Sequence, residues 1–326
     1  MMSFQEALDK INNEISHITY ESKPTELYDP ISYTLSLGGK RIRPALVLLA
    51  YNMYKEENPD SILPTALGWE IFHNFTLLHD DLMDWADVRR GKPTVHKKWG
   101  NNTAILSGDA MLILAYQYIA QTPQEHLKPV LDLFSITAAE ICGGQQYDMN
   151  FETLLSVSEE EYIEMIRLKT AVMLGACLKS GAILGGASAR DAQNLYDFGI
   201  YIGIAFQLKD DLLDVYGDPT VFGKNIGGDI LCNKKTFLLI HALNKAQGKE
   251  HEALLKWLAV SDPQLNRQKI EAVTDIYNSL KLKELSEDKM QFYFQKAIVL
   301  LKELDIPSDR TVELLSLAEK LMDRII

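Results

Sequence analysis

Apolar residues recur at helical spacing through most of this 326-residue chain, and sustained alternation of apolar and polar residues is nearly absent. This pattern predicts an all-α fold in which amphipathic helices bury their apolar faces against one another. Most prolines fall near the ends of the predicted segments, where a fixed φ and a missing N–H disturb a helix least. We predict helices near residues 3–18, 24–36, 43–56, 62–86, 103–121, 127–149, 159–185, 190–216, 234–247, 251–260, 265–281, 286–303 and 308–325.

No low-complexity linker, charge block or fixed-period repeat divides the chain. The simplest expectation is one all-helical domain over residues 1–326, which is long enough to bury a large core. Ser158 and Glu161 have capping-box spacing, which predicts a helix start near residue 159. Two long loops are expected, from Trp85 to Asn102 and from Gly217 to Lys235. Loops of this length in a compact domain are often functional.

Charge and cysteine content exclude several classes of protein. The chain has 33 Lys and Arg against 45 Asp and Glu, a net charge of −12, so neither nucleic acid nor an anionic membrane surface is an expected partner. Cys142, Cys177 and Cys232 lack the spacing of a disulfide framework or a zinc site. The N-terminus does not resemble a signal peptide, and no run of about 18 apolar residues occurs. We expect a cytoplasmic protein with reduced thiols and no membrane span.

An aspartate cluster, HDDLMD, follows the apolar run WEIFHNFTLL. On a helix, Asp80 and Asp84 lie on one face about 40° apart, with Asp81 beside them. A lone cluster of this kind could equally be a solvated helix face. Its position at the end of a strongly apolar helix argues against that interpretation.

A second cluster, QLKDDLLD, ends another apolar segment. Gln207, Asp210, Asp211 and Asp214 follow the spacing i, i+3, i+4, i+7, so they share one helical face. Two helices therefore present carboxylate stripes.

Carboxylates crowded on largely buried helices raise one another's pKa values and destabilise a fold unless cations share the site. Carboxylate oxygens without His or Cys partners suit hard ions, and Mg²⁺ usually takes its remaining ligands from water and substrate phosphates. A ferritin-like di-iron bundle is a rival, but it requires Glu and Glu-x-x-His ligands. The clusters therefore predict a phosphate or diphosphate bridged by Mg²⁺.

An acidic protein that binds diphosphate needs local positive charge. The segment GGKRIRP forms a Gly-rich turn before a helix, where backbone N–H groups and the helix dipole can join Lys40 and Arg43. His73 lies seven residues before Asp80, about 20° away on the same helical face. Further candidates are Arg89 and Arg90 after the first cluster, Lys169 beside Thr170, and Lys224 and Lys234 in the second long loop.

The motifs GGKRIRP, HDDLMD, RR, GGQQYD, KT, QLKDDLLD, GK and NKKT follow one another along essentially the whole chain. In this order they resemble the trans-isoprenyl diphosphate synthases, the family that makes geranyl, farnesyl, geranylgeranyl and longer polyprenyl diphosphates. The resemblance implies one bundle of long helices around a deep central cavity, with the two aspartate motifs facing each other at its mouth. It also implies a homodimer.

The resemblance further implies two substrate sites. Isopentenyl diphosphate would be held by Lys40, Arg43 and His73, with Arg90 beside them. An allylic diphosphate would be carried by three Mg²⁺ ions and by cationic side chains. The implied metal ligands are Asp80, Asp84 and Asp210, with direct or water-mediated support from Asp81, Asp211 and Asp214. The implied cationic contacts are Arg89, Lys169, Lys224 and Lys234.

The chemistry implied by the resemblance is a head-to-tail condensation. Positive charge stabilises the departing diphosphate, the isopentenyl double bond attacks the allylic cation, and the released diphosphate takes the proton. Thr170 and Gln207 would lie along the breaking C–O bond and offer dipoles without quenching the cation. Gln145 and Asp148 fall in the GQxxD motif of the family. A cavity that excludes water would protect the cation.

Product length in this family depends on side-chain bulk below the first aspartate motif. The family pattern stresses Phe75, whereas a helical wheel places Thr76 and Phe72 nearer the face of Asp80, so all three remain candidates. A large ring at this depth predicts a short product of C15 to C20.

Three alternatives remain at this point: a class I terpene cyclase, a longer-chain polyprenyl diphosphate synthase and a non-catalytic partner subunit. Terpene cyclases usually replace the second aspartate motif and lack an isopentenyl site, so Lys40, Arg43 and His73 argue for condensation. Non-catalytic subunits tend to lose aspartates, and both motifs are intact here.

Overall fold

The computed structural model describes residues 2–18, 23–217 and 226–323. The predicted all-α fold is confirmed across these residues. The helices of the first half are α1 (Phe4–His17), α2 (Thr25–Ser36), α3 (Ile42–Tyr54), α4 (Leu63–Met83), α5 (Val95–Trp99), α6 (Asn101–Ile119) and α7 (Gln124–Thr153). Those of the second half are α8 (Glu159–Ile166), α9 (Val172–Gly185), α10 (Ala189–Tyr216), α11 (Gly228–Leu231), α12 (Phe237–Lys245), α13 (Gly248–Leu258), α14 (Asn266–Ser279), α15 (Leu282–Lys302) and α16 (Val312–Asp323).

The chain forms two compact units. Unit 1 comprises Met1–Ile136, Ala176–Leu195 and Asp305–Leu314, and unit 2 comprises Thr137–Gly175, Tyr196–Leu304 and Leu315–Ile326. The expectation of one domain over residues 1–326 stays a prediction.

Helix α4 forms the centre of unit 1, where it packs against α6, α3 and α2. Its apolar side chains are buried on several faces rather than along one stripe, as expected for a core helix. Trp69 is fully buried, and its indole nitrogen donates to Ser180 Oγ at 3.1 Å. Phe134 packs against both Trp69 and Phe72, with ring centroids 4.9 Å and 5.1 Å away.

The carboxyl-terminal part of unit 2 has its own apolar core, built by α11 to α15. Leu254 and Val273 are fully buried there, and Tyr277 is almost so. Lys269 is also buried, and its ammonium donates to the carbonyls of Leu231 and Val260 at 3.2 Å. This lysine therefore holds α11 and the end of α13 against α14.

The helix signals in the sequence have clear structural counterparts. The capping box at Ser158 and Glu161 is confirmed, with both reciprocal hydrogen bonds present. A second capping box, at Ser3 and Glu6, starts α1. All three cysteines are free thiols.

Four sequence predictions need correction. The expected loop from Trp85 to Asn102 contains a small hairpin of β1 (Val88–Arg89) and β2 (Lys92–Pro93), followed by α5 and the start of α6. Its turn residues Arg90 and Gly91 have φ of 52° and 74°, which is typical of two-residue hairpin turns. Strands of two residues are too short to give a period-2 signal.

The predicted continuous helix over 159–185 is interrupted by a π-helical turn at Arg167–Ala171. The helix predicted from residue 286 starts at Leu282. Its N-cap residue, Lys281, adopts a left-handed conformation. In the second long loop, α11 occupies part of the described segment.

Within the described part of the chain, one segment, Glu159–Gly185, is long and apolar enough to cross a membrane, but 67% of its most apolar window is buried inside the protein. Burial of this extent fits a core helix.

Candidate active site

The first aspartate motif lies at the carboxyl end of α4, in unit 1. Asp80 is partly buried, Asp81 is buried and Asp84, which caps the helix, is exposed. The helical wheel treated Asp81 as a flanking residue, yet its carboxylate is the most enclosed of the three. Burial raises the pKa of Asp81 and its contact with Arg89 opposes that shift.

The hairpin returns Arg89 to this motif. Arg89 Nε donates to Asp81 Oδ2 at 2.7 Å, and its Nη2 lies 3.7 Å from Asp80 Oδ2. The structure therefore brings together two sequence-predicted groups, the first aspartates and the first arginine of the RR pair.

The donor set at this motif is compatible with a hard divalent ion. Asp81 Oδ1 is buried and accepts no hydrogen bond from any described residue, so it can serve an added ligand. Oxygen donors of this type suit Mg²⁺. Among residues 2–18, 23–217 and 226–323, no group of three or more His, Cys, Asp and Glu is arranged to hold a metal ion.

The GGKR turn joins α2 to α3 and is held in place by buried hydrogen bonds of Arg41. Arg41, at φ 46°, donates to Glu70 Oε1 and to the Leu35 carbonyl, both at 2.6 Å. Arg90 donates to the Gly38 carbonyl. A Cβ on Gly39 would lie 2.8 Å from Arg90 Nη2, so this glycine allows the arginine to close on the turn.

Sequence reasoning singled out Lys40 and Arg43 in this turn but missed Arg41 and Glu70. Lys40 is exposed, whereas Arg41 and Glu70 are buried. The available signal was Glu70 itself, a carboxylate within the apolar run WEIF. A charge there requires a partner in the core.

Arg43 and His73, which the resemblance assigns to the same substrate, lie in contact, with Arg43 Nη1 3.1 Å from His73 Nε2. Burial, followed by the charge of Arg43 and of Arg90, holds the pKa of His73 well below its ordinary value. A neutral imidazole can accept a hydrogen bond from the guanidinium. Burial also lowers the pKa of Arg43.

The three candidates for control of product length lie on α4. Phe72 and Phe75 are both buried, with ring centroids 5.6 Å apart. Phe75 also packs edge-on against His79 at 4.8 Å. Thr76 is partly buried, and its hydroxyl donates to the His73 carbonyl at 2.8 Å. The two rings therefore form one aromatic group, and the role of each in product length stays a prediction.

The second aspartate motif lies on α10, in unit 2. Asp210 and Asp214 are partly buried, and Asp211 is buried. Asp211 accepts hydrogen bonds from the Tyr162 hydroxyl at 2.6 Å and from Gln207 Nε2 at 3.0 Å. Tyr162 is a site residue that sequence reasoning missed.

Thr170 and Gln207, which the sequence paired by resemblance alone, are in direct contact. Thr170 Oγ1 donates to Gln207 Oε1 at 3.2 Å. Lys169, the neighbour of Thr170, donates to Asp148 Oδ2 at 2.6 Å, which links the KT pair to the GQxxD motif. Gln145 of that motif is partly buried.

The π-helical turn that carries Lys169 and Thr170 is closely packed by two glycines. A Cβ on Gly144 would lie 2.3 Å from the Lys169 backbone nitrogen, and one on Gly203 would lie 2.6 Å from Ala171 Cα. Turns of this kind are frequent at functional sites. The glycines of GGQQYD thus have a packing role that their sequence context did not reveal.

The second long loop adds Asp229 and Lys234 to the second motif. The backbone N–H of Asp229 donates to Asp214 Oδ2 at 2.9 Å. Burial raises the pKa of Asp229 to about 7, and Lys234 opposes this shift. Although burial disfavours its charge, Lys234 has its pKa raised by the carboxylates of Asp229, Asp148 and Asp211.

Sequence reasoning identified Lys234 and missed Asp229, which lies between the two lysines of the loop. The other lysine, Lys224, lies outside the described residues. The roles assigned to the individual site residues from the sequence stay predictions.

The chain is similar in sequence and structure to known proteins. Residues 24–277 match the sequence model of the polyprenyl synthetase family. A geranylgeranyl diphosphate synthase of Methanosarcina mazei is 42% identical over 253 residues, which cover 75% of this chain and 78% of that protein. A geranylfarnesyl diphosphate synthase of Natronomonas pharaonis is 38% identical over 262 residues, covering 75% and 76% respectively. A crystal structure of a geranylgeranyl pyrophosphate synthase superposes with a TM-score of 0.94 at 40% identity and covers 99% of both chains.

Proposed function

Because this chain belongs to the polyprenyl synthetase family, we propose that it is a short-chain isoprenyl diphosphate synthase. It joins an allylic diphosphate to isopentenyl diphosphate and releases diphosphate. The observation that carries this function is the pairing of each aspartate motif with its own cationic and polar group. Asp80 and Asp81 have Arg89 beside them, and Asp211 has Gln207 and Tyr162.

The isopentenyl diphosphate binds at the GGKR turn. Lys40, Arg43 and Arg90 supply positive charge there, and His73 orients Arg43 through their contact. The fixed turn below them supports this role, because Arg41 and Glu70 hold its backbone in place. A prearranged cationic site binds diphosphate with little reorganisation.

The allylic diphosphate binds through both aspartate motifs. Asp80, Asp84 and Asp210 are the proposed ligands of three Mg²⁺ ions, and such ions would supply positive charge to the departing diphosphate. The carboxylates in support are Asp81, Asp211 and Asp214, and the cationic contacts are Arg89, Lys169, Lys224 and Lys234.

The reaction breaks the allylic C–O bond, and the bonding electron pair leaves with the diphosphate oxygen. Thr170 and Gln207 face the resulting cation with oxygen dipoles, which stabilise positive charge without forming a bond to it. The isopentenyl double bond then forms the new C–C bond. Released diphosphate takes the proton, so the product is one C5 unit longer.

The proposed product is C20, geranylgeranyl diphosphate. The relatives described above are named as synthases of C20 and C25 products, and the sequence predicts C15 to C20, so C20 is the common value. The buried pair of Phe72 and Phe75 supports an early stop to growth of the chain.

The protein is further proposed to be a cytoplasmic homodimer. Helix α6 exposes Leu106 and Ile113 by 59% and 60%, and their seven-residue spacing places them on one side of the helix. A second copy of the chain would cover this apolar surface.

The direct test of the proposed function is a product assay. Purified protein with Mg²⁺ and labelled isopentenyl diphosphate is given dimethylallyl, geranyl or farnesyl diphosphate in turn, and products are sized by chromatography. We expect C20 diphosphate from each primer. Cyclised hydrocarbon products, or no product from any primer, would contradict the proposal.

The same assay tests the control of product length. Replacing a ring by a methyl group opens space below the first motif, so Phe75→Ala or Phe72→Ala should extend the product by one or more C5 units. An unchanged product from both variants would exclude these rings as the stop.

A further inference from the structure

Asp211 is placed differently from the other aspartates of its motif. Its side chain is buried, and each carboxylate oxygen accepts a hydrogen bond from a protein donor. Oδ2 accepts from the Tyr162 hydroxyl at 2.6 Å, and Oδ1 accepts from Gln207 Nε2 at 3.0 Å. A carboxylate held from both sides is suited to fixing its neighbours in place.

The contact with Asp211 determines which way round the Gln207 carboxamide lies. The Gln207 NH₂ group donates to Asp211 Oδ1 at 3.0 Å, so this end of the amide faces the carboxylate. The carbonyl oxygen then points the other way, where it accepts from Thr170 Oγ1 at 3.2 Å. A carbonyl oxygen has two lone pairs, and the second stays available to a ligand.

Tyr162 is well placed to fix Asp211. It lies on α8 and is about 1% exposed, with its ring 6.3 Å from that of Phe237. The first residue of α8, Glu159, contacts both His241 and Lys289, and the capping box at Ser158 closes the start of the helix. The hydroxyl is therefore held by a helix anchored to α12 and α15.

We infer that Tyr162 and Asp211 are positioning residues that keep the carbonyl oxygen of Gln207, rather than its NH₂ group, directed toward the cationic carbon of the substrate. This inference rests on the proposed function. The negative end of the amide dipole stabilises an allylic cation, whereas the NH₂ end would repel it. Asp211 is held behind Gln207 by a hydrogen bond to each of its oxygens.

Tyr162→Phe is the variant that tests the inference, because it removes one hydroxyl and keeps the buried ring. Loss of a hydrogen bond to a charged group should lower kcat by about 10- to 100-fold, with KM for both substrates unchanged. Tyr277→Phe is the matched control, since Tyr277 is a buried tyrosine on α14, in a core to which none of the proposed site residues contributes. Its kcat should equal that of the wild-type protein.

A binding measurement separates positioning from a general structural role. Calorimetry measures the binding of two allylic diphosphate analogues. The cationic analogue has an ammonium group in place of the cationic carbon, and the thio analogue has no positive charge. Tyr162→Phe should weaken binding of the cationic analogue by about 10- to 100-fold and leave binding of the thio analogue unchanged. Equal loss for both analogues, or unchanged kcat, would overturn the inference.

Asp211→Asn provides a second route if Tyr162→Phe does not fold. An asparagine can present either end of its amide to Gln207, so the orientation is no longer enforced. Because Asp211 also supports the Mg²⁺ ions, binding of both analogues should weaken, and binding of the cationic analogue should weaken by a further factor of about 10. Equal weakening for the two analogues would overturn the inference. Wild-type protein that makes no product from any primer would instead refute the proposed function itself.

Discussion

Glu70 shows how much a single buried residue contributes to the GGKR turn. Its carboxylate lies 2.6 Å from Arg41, and both side chains are only 3% exposed. Glu70→Gln leaves the guanidinium without its counter-charge, so we expect a loss of about 3–5 kcal/mol in the free energy of unfolding. Denaturant titration measures this loss.

The exposed pair of Arg267 and Glu271 provides the control for that experiment. These side chains are 90% and 60% exposed, and Glu271→Gln should leave the denaturation midpoint unchanged because exposed ion pairs contribute little. Equal midpoints for wild type and Glu70→Gln would show that Arg41 finds sufficient partners without the carboxylate.

His73 gives a pH dependence with a definite sign. Burial and the charge of Arg43 lower its pKa in the folded state, so below about pH 6.5 the unfolded chain takes up a proton that the folded chain does not. Stability is then lost as pH falls, by up to about 1.4 kcal/mol per pH unit. We expect His73→Gln to lose less stability than wild type between about pH 7 and the lowered pKa.

Thermal unfolding at a series of pH values measures this difference. The control is His17→Gln, which removes an exposed imidazole at the end of α1. If the stability of wild type and of His73→Gln falls equally with decreasing pH, His73 is protonated in the folded protein.

Among single residues, the sequence singled out charged residues in local motifs and missed those whose partners are distant in the chain. Arg43 and His73, which the resemblance assigns to the same substrate, lie in contact. Glu70, Tyr162 and Asp229 were missed, because their partners lie far away in sequence and no local spacing identifies a buried hydrogen bond.

Among the elements, the π-helical turn at Arg167–Ala171 depends on close approach of its neighbours. A Cβ on Gly144 would meet the Lys169 backbone at 2.3 Å, whereas one on Gly143 meets no described atom within 4 Å. Gly144→Ala should therefore destabilise the protein by about 1–3 kcal/mol, while Gly143→Ala should stabilise it by up to about 1 kcal/mol.

Denaturant unfolding of the two variants checks this contrast between adjacent positions of one helix. Because Lys169 and Thr170 lie on the turn, Gly144→Ala should also lower kcat of the folded fraction. Equal stability of both variants would indicate that α7 moves away from the turn without cost.

Helix positions were predicted well because the spacing of apolar residues that drives helix packing can be read within each segment alone. The ends of α4, α6 and α10 differ from the predicted ones by three residues or fewer. The hairpin and the π-helical turn were missed, since the first is too short for a periodic signal and the second depends on glycines of other helices.

The proposed dimer predicts that charged side chains introduced on the exposed side of α6 disrupt its assembly. Leu106 and Ile113 are 59% and 60% exposed. Leu106→Glu with Ile113→Glu should convert a dimer into monomers, because burial of two carboxylates against an apolar partner is unfavourable. Sedimentation velocity distinguishes the two states.

Leu255→Glu is the control for assembly. Leu255 is a similarly exposed residue, at 48%, on α13, and its variant should sediment as the wild-type protein does. A dimer that survives both changes on α6 would place the interface elsewhere.

Because both aspartate motifs are proposed to act on one diphosphate, a double-mutant cycle in kcat/KM on one aspartate of each motif has a definite expected outcome. Asp80→Asn and Asp210→Asn should each lower kcat/KM by about 10²- to 10³-fold. Residues that act as a unit are strongly non-additive, so the double variant should lose about as much as one single variant. A loss in the double variant equal to the product of the two single losses would contradict the claim, because independent sites contribute additively in free energy.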